Sequence, residues 1–394
     1  MMKKTIITLS LLATSLAFSY KDVDERLDSL EVQMKEISAR NPQETLGAAF
    51  RTARPETKNT RFFATLDLLY WHPKLGGTDY AYTGEYEVDN SEPEKGAIIR
   101  ALPPKGDVKE NDLGWSLGIR AGLGYKTPHD DWDVRARYTW LNGDDSSSNH
   151  KNFPSNLFAM RSIIIIPCRY VKSHIDIKYN NVDLELARSY FVSQNLSIRP
   201  HFDIKATWLN LGQKIQYGFS TIVSDFLQGQ EMKVTESSRF KGYGPRAGVD
   251  AALFLGEGFS LVGEVSGAIL YGSFNTRIKE TFPANENTGN TPEVLYNVKD
   301  NFHRFIPFVH MLLGLKWETY LNHQKQFLHL RGGYEVQYYW RVNQMMSTGG
   351  IVSDGARVNA NGVVQTVFGS RTAFEPISED LAFYGLTGEV RLDF

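Results

Sequence analysis

From residue 61 to residue 394, apolar and polar side chains alternate with a period of two in ten segments. Successive side chains of a β-strand point to opposite faces of a sheet, so each segment predicts a strand with one apolar and one polar face. In the clearest segment, Arg120 lies among glycines on one face, and the other face carries Trp115, Leu117, Ile119, Ala121, Leu123 and Tyr125. The alternation predicts an all-β fold for this part of the chain.

The connections between the predicted strands are alternately short and long. The short ones are rich in turn-forming residues: Thr127–Asp130, Ser193–Asn195, Gly256–Gly258 and Asn322–Lys325. The long, polar ones are Pro73–Asp112, Asn142–Asn181, Gly212–Arg239, Asn275–His303 and Val342–Asp380. Bacterial outer-membrane barrels have short periplasmic turns, long external loops and an even number of strands. We therefore predict a single antiparallel up-and-down transmembrane β-barrel over residues 61–394.

The number of predicted strands is about 10, with a range of roughly 10 to 14. The range reflects segments that read either as further strands or as hairpins within loops: Lys214–Ile222, Thr276–Glu280 and Val294–Lys299.

Strand length and aromatic placement favour lipid against the apolar faces. A tilted strand needs about 9 to 11 residues to cross a bilayer, whereas strands of soluble proteins average about five or six. Most segments reach the longer value, and aromatic residues crowd their ends, for example Tyr70, Trp115, Tyr125, Trp132, Trp140, Trp208, Trp317 and Trp340. Such rings form belts at both membrane interfaces.

The polar faces would then surround a central lumen. The candidate lumen-lining residues carry both signs of charge: Asp67, Arg120, Lys126, Asp133, Arg135, Arg137, Asp183, Glu185, Arg199, Asp203, Lys205, Arg246, Asp250, Glu264, Arg331, Glu335, Glu389 and Arg391. Such residues either pair across a narrow lumen and plug it, or leave a charged aqueous passage that selects ions. We expect a small diffusion channel, constricted by one or more long loops folded inward.

Two outward positions carry separate expectations. Phe394 ends the chain on the apolar face of the last predicted strand, similar to the recognition signal of barrels inserted into the outer membrane. We expect Phe394 to be the membrane-insertion signal, read by the barrel-insertion machinery. Arg188 falls on the apolar face of the fourth strand, where a mid-bilayer arginine would cost about 2–4 kcal/mol. We expect it near an interface, or in a register shifted by a bulge.

The first 60 residues follow other patterns. Lys3 and Lys4 precede an apolar run and small residues, which predicts a cleaved signal peptide over residues 1–19 and export. A short amphipathic helix is predicted over residues 20–41, followed by a linker over residues 42–60. The helix is either a solvated stub or a short coiled coil that holds a homo-oligomer together through Val23, Leu27, Leu30, Met34 and Ile37.

Composition removes several classes of function. A net charge of −2 gives no support for binding nucleic acid. Cys168 is the only cysteine, so no intrachain disulfide or multi-cysteine metal site is expected, and we interpret it as a free loop thiol. Gly242, Gly244 and Ala247 have dinucleotide-binding spacing but lie in an alternating segment without the strand, turn and helix that such a site needs. We expect no cofactor and no metal.

Several segments carry a family resemblance: LDLLYW (Leu66–Trp71), GWSLGIRAGLGY (Gly114–Tyr125), WDVRARYTW (Trp132–Trp140), YGPRAGVD (Tyr243–Asp250) and GYEVQYYWRVNQM (Gly333–Met345). In their order and spacing they resemble the Legionella-type major outer membrane protein family, which includes relatives in chlamydia-like bacteria. The resemblance implies a pore-forming outer-membrane protein, in some members implicated in attachment to host cells. It supplies no catalytic residues.

Three functions remain open at this stage. The first is the porin-like channel. The second is a structural protein or adhesin that binds a host-cell surface through its long loops, since rigid scaffolds commonly present functional loops. The third is an outer-membrane protease, for which Asp144, Asp145 and His150 are the only candidates, and we expect no enzyme.

Overall fold

The computed structural model describes residues 30, 61–89, 98–101, 105–127, 132–152, 155–162, 167–193, 195–219, 231–282, 293–321, 326–348, 356–358, 364–366 and 374–394. Apart from Leu30, the predicted signal peptide, N-terminal helix and linker lie outside these residues. Within the described ranges, no helix is long and apolar enough to span a membrane.

Ten long strands form a ring of antiparallel pairings. Each pairs with its neighbours in the chain, and the last pairs with the first. The all-β antiparallel prediction is confirmed. The strands are β1 (Phe62–Leu75), β2 (Ser116–Lys126), β3 (Trp132–His150), β4 (Pro167–Arg188), β5 (Leu196–Phe219), β6 (Glu231–Gly256), β7 (Phe259–Phe282), β8 (Glu293–Leu321), β9 (Gln326–Asn343) and β10 (Glu379–Asp393).

Short strands occupy the connections: Asp79–Asp89, Ile98–Ala101, Val108–Glu110, Ser155–Ala159, Tyr190–Phe191, Met346–Thr348, Ala356–Val358, Val364–Thr366 and Phe374–Pro376. The strand Asp79–Asp89 pairs with Ser155–Ala159, which in turn pairs with β4. The connection that follows β1 is therefore folded against the end of the ring where the long connections lie.

Several strands are longer than the alternation predicted, and the longest, β8, has 29 residues. The segments weighed as extra strands are continuations instead: residues from Lys214 extend β5, Thr276–Glu280 lies in β7, and Val294–Lys299 lies in β8. The ring therefore has ten long strands, at the lower end of the predicted range of about 10 to 14. The ladder continues past the apolar band because backbone pairing does not need an apolar outer face.

The two faces of each strand point as the alternation predicted. On β1, Leu66 and Leu68 are 58% and 60% exposed, while Thr65 and Asp67 between them are 4% and 1% exposed. The same exchange holds on β2, where Leu117 and Ile119 are exposed and Arg120 is buried. Apolar side chains thus cover a band around the outside of the ring, an arrangement suited to contact with hydrocarbon rather than with water.

Arg188 ends β4 among aromatic rings. Its guanidinium lies 6.0 Å from the centroid of the Trp132 ring and 5.2 Å from that of Tyr190. Both distances are within the range of cation–π contacts, which extends to about 6 Å.

Candidate functional site

Every candidate lumen-lining residue faces the interior of the ring. Eleven of them are buried: Asp67, Arg120, Asp133, Arg135, Arg137, Asp183, Glu185, Asp203, Lys205, Arg246 and Glu335. The others are half-buried: Lys126, Arg199, Asp250, Glu264, Arg331, Glu389 and Arg391. Their charged groups meet in a set of ion pairs that crosses the interior.

Arg120 on β2 lies at the centre of the first cluster. Its guanidinium donates to Asp67 Oδ2 at 3.1 Å and to the two carboxylate oxygens of Glu335 at 2.7 and 3.2 Å. His310 Nε2 lies 3.0 Å from Glu335 Oε1, and Thr387 donates its hydroxyl to Glu335 at 2.7 Å. Strands β1, β2, β8, β9 and β10 thus all contribute to this Arg120 cluster.

Glu185 on β4 lies at the centre of a second cluster. Arg135 donates to its carboxylate at 2.8 and 2.9 Å, Arg137 at 3.1 Å and Arg199 at 2.5 Å. Arg199 also donates to Asp250 at 2.8 Å. The carboxylate of Glu185 thus accepts hydrogen bonds from three guanidinium groups. Its negative charge offsets part of the repulsion between these three arginines.

A third cluster joins β4, β5 and β6. Lys205 Nζ lies 3.4 Å and Arg246 Nη1 3.5 Å from Asp183 Oδ1. Arg246 Nε lies 3.3 Å from Asp203 Oδ2, and the second oxygen of Asp203 lies 2.9 Å from His201 Nδ1.

Glu185, His201 and Asp203 place potential metal-ligating atoms within 4.8 Å of one another. Their carboxylates already accept from Arg135, Arg137 and Arg199 or lie against Arg246. A cation would have to displace these guanidinium groups, so the arrangement fits an ion-pair network rather than a metal centre.

A cavity of about 160 Å³ lies beside these clusters, at the end of the ring where the connections are short. Its wall includes Lys126, Asp133, Arg199, Asp250, Arg331 and Arg391. Arg331 forms ion pairs with Glu264 and Glu389, and Lys126 and Arg391 both bind Asp393, at 2.5 and 2.7 Å. The cavity is therefore polar and charged.

Asp393, His310 and His329, which join this network, were not among the candidates. Each lies at an inward position of a strand whose neighbouring inward residues were chosen, so the parity of the alternation was the signal that could have found them.

An apolar cluster fills the ring on the far side of the ion pairs. Along β1, the inward positions after Asp67 are Leu69 and Trp71, both 0% exposed. Trp71 packs on Phe383, Phe383 packs on Tyr179, and the hydroxyls of Tyr179 and Tyr339 lie 2.8 Å apart. In the sequence, Leu69 and Trp71 interrupt the polar face of the first predicted strand; in the structure they begin this apolar layer.

The connection after β1 enters the ring beyond the apolar layer. Asn111 donates to Asp145 Oδ2 at 3.0 Å and accepts from Ser173 at 2.5 Å, and Gln213 donates to the Thr78 carbonyl at 2.9 Å. Buried side chains therefore occupy the interior at successive levels of the ring.

A second apolar cluster lies past these polar groups and includes Tyr80, Tyr217, Met232, Ile278 and Cys168. Cys168 belongs to β4 and is fully buried, so its interpretation as a loop thiol is wrong.

The protease candidates are not brought together. Asp144 and Asp145 are consecutive residues of β3, so their carboxylates point to opposite faces. Asp145 accepts from Asn111 on the inside, and His150 accepts from Arg169 Nε at 3.1 Å.

At the closure of the ring, the terminal residue pairs with the first strand. Phe394 N donates to the Phe62 carbonyl at 2.8 Å, and Phe62 N donates back at 3.2 Å. The ring of Phe394 is exposed on the outside.

Residues 54–394 match the family model described as the Legionella pneumophila major outer membrane protein precursor. Among solved structures, the chain is similar to the outer membrane protease OmpT from Escherichia coli, with 10% identity, 86% of this chain and 98% of that chain covered, and a TM-score of 0.36. A FadL homologue from Pseudomonas aeruginosa matches at 8% identity, 85% and 90% coverage and a TM-score of 0.26. The toluene transporter TodX from P. putida matches at 10% identity, 84% and 89% coverage and a TM-score of 0.26. A search of curated proteins finds no match.

Proposed function

Because the chain belongs to the Legionella major outer membrane protein family, we propose that it forms a narrow porin-like channel for ions or small solutes, closed in this conformation by its own side chains. The bacterial outer membrane is its location. With short turns on the periplasmic side, the charged cavity faces the periplasm and the long connections face the outside.

The observation that carries the proposal is the buried network of both charge signs at the depth of the apolar band. If these side chains served only to fill the interior, apolar residues would do so better, because replacing a buried ion pair by well-packed apolar residues often stabilises a protein by about 1–4 kcal/mol. Ionisable groups inside a membrane commonly mark an ion pathway. The Arg120 cluster and the cluster around Glu185 consist of such buried ionisable groups.

The apolar layer supplies the closed state. Trp71, Tyr179 and Phe383 are each 0% exposed, and apolar constrictions stop ion flow by excluding water. Opening therefore requires these side chains to move or to be shortened.

Single-channel recording in planar bilayers tests the proposal. The wild-type protein should give rare, small conductance steps, and Trp71→Ala/Phe383→Ala should give larger and more frequent ones. Trp115→Ala is the control. It removes an indole side chain that is 50% exposed on the outer surface of the barrel, and it should leave the conductance steps unchanged. Absence of steps in all three folded proteins would reject the channel.

A second candidate is a scaffold whose outer end acts as an adhesin. Its support is the length of the strands: at a rise of about 3.3 Å per residue, β8 with 29 residues is about 95 Å long, against a hydrocarbon core of about 30 Å. The part beyond the membrane encloses its own apolar cluster around Tyr217 and Met232. Binding of bacterial cells to host cells, with and without replacement of the connection between β7 and β8, separates this function from transport.

A further inference from the structure

A row of exposed polar side chains crosses the outer surface of six neighbouring strands, β3 to β8. Each member lies directly opposite the next in the strand register. Amides and cations share the row, which we call the amide–cation row: Asn142, Lys178, Asn210, Arg239, Asn275 and Asn301.

The amide–cation row lies at the boundary of the apolar band. Two residues along each strand toward the membrane, the next row places two tryptophans among polar residues: Trp140, Asn180, Trp208, Lys241, Ser273 and His303. The row after that contains Tyr138, Val182, Tyr243, Tyr271 and Phe305. Exposed aromatic rows of this type mark the interface between hydrocarbon and headgroups. The amide–cation row is therefore at headgroup depth, at the end of the ring where the long connections lie.

The cations of this region are available to a ligand. In the described part of the chain, no ion pair involves Lys178, Arg239 or Lys241, and all three are exposed. Farther from the membrane on the same wall, the outward residues include Lys172, Lys214, Lys233, Lys279 and Lys299. Asp144 and Asp176 lie opposite each other in the row next to the amide–cation row, and Lys299 lies in the same row. The cations named here outnumber these two carboxylates.

The other wall of the ring differs. On β1, Lys74 lies 3.7 Å from Glu110 and 3.6 Å from Asp112, and on β10 Asp380 accepts from Tyr338 at 2.5 Å. Positive charge without a carboxylate partner is thus concentrated on the wall formed by β4 to β8.

We propose that the amide–cation row, together with Lys241, binds the phosphate groups of a phosphorylated glycolipid of the outer leaflet. Guanidinium and ammonium groups donate strong charge-assisted hydrogen bonds to phosphate. The asparagine amides between them can both donate to and accept from sugar hydroxyls. The aromatic rows below lie where the headgroups meet the acyl chains, so one lipid molecule contacts all three rows. The proposal depends on location in the outer membrane and not on ion conduction.

The test uses the full-length protein folded in detergent and titrated with three probes: bis-phosphorylated lipid A, chemically dephosphorylated lipid A and inorganic phosphate. Lys178→Gln/Arg239→Gln/Lys241→Gln removes the cations at the boundary. Lys172→Gln/Lys214→Gln/Lys233→Gln is the matched control, since it removes the same number of charges around a groove of about 480 Å³ farther from the membrane. Heat-dependent mobility in gels verifies that each variant is folded, and native mass spectrometry counts the lipid bound.

We expect bis-phosphorylated lipid A to bind the wild type and the control, and the boundary variant to bind it at least about tenfold more weakly. Dephosphorylated lipid A should bind the wild type weakly, and inorganic phosphate should neither bind nor compete. Equal binding of both lipid forms would overturn the proposal, as would an equal loss in the two variants. Competition by inorganic phosphate at the affinity of the lipid would assign the row to a free anion instead.

Discussion

Arg120 and Glu335 form a two-point ion pair across the interior of the ring, with Nη2 2.7 Å from Oε1 and Nη1 3.2 Å from Oε2. Strand β2 carries the arginine and strand β9 the glutamate, and strands β1 and β10 separate them in the sheet. The side chains are 4% and 0% exposed. The pair therefore links two parts of the wall that are not neighbours in the sheet.

Glu335→Ala should destabilise the fold by about 3–5 kcal/mol, because it leaves Arg120 buried without its main partner. Urea titration followed by the mobility difference between folded and unfolded protein measures the loss. The double variant Arg120→Met/Glu335→Leu removes both charges and should recover most of the stability. A double variant as unstable as Glu335→Ala would show that the pair, and not the orphaned charge, was responsible.

Leu68→Arg should cost about 2–4 kcal/mol, because it places a charge in the middle of the lipid-facing band. Phe62→Arg should cost only about 0–1 kcal/mol near the interface. The two positions are similarly exposed, at 60% and 56%, so the difference reports depth in the bilayer. Unfolding titrations in lipid vesicles give both values, and equal costs would contradict the placement of the band.

Gly385→Ala should destabilise the seam between β1 and β10. A Cβ at this position would meet the Tyr70 carbonyl and lie 2.9 Å from the Trp115 ring, and overpacking of this kind costs about 1–3 kcal/mol. Gly388→Ala on the same strand is the control, since its Cβ would meet nothing within 4 Å. Thermal unfolding of the two variants should separate them clearly, and matching losses would count against close contact at Gly385.

Glu236→Gln should stabilise the outer end of the ring. Glu236 is 1% exposed, and neither of its carboxylate oxygens has a hydrogen-bond partner in the described part of the chain. Removing a buried, unpaired charge should gain about 1–3 kcal/mol. Glu231→Gln should not, because Tyr170 and Gln216 both donate to Glu231. Chemical denaturation at neutral pH measures both, and a loss of stability in Glu236→Gln would reveal a partner for that carboxylate.

The alternation was sufficient to predict the antiparallel strands and the direction in which their side chains point. The alternation alone placed Asp67 and Arg120 inside the barrel. In the structure, Arg120 Nη1 lies 3.1 Å from Asp67 Oδ2. Parity works here because one residue of slip would exchange the two faces of a whole strand.

Depth could not be predicted in the same way. Parity places Asp67 and Trp71 on one face but does not say that the first joins an ionic layer and the second an apolar one, since that depends on residues from distant strands. The true length of β5 to β8 was hidden for a related reason. Beyond the lipid the polar side chains face outward and the apolar ones inward, so the alternation inverts while backbone pairing continues.

The seam that places Phe63 opposite Asp393 has a consequence for the order of assembly. The other seams of the ring join long strands that are consecutive in the chain, so each brings together residues much closer in sequence. The seam between β1 and β10 can form only after the strands between them have folded. Until then β1 and β10 expose free edges that invite pairing with other molecules, so the interval before closure is when the protein most needs protection from aggregation.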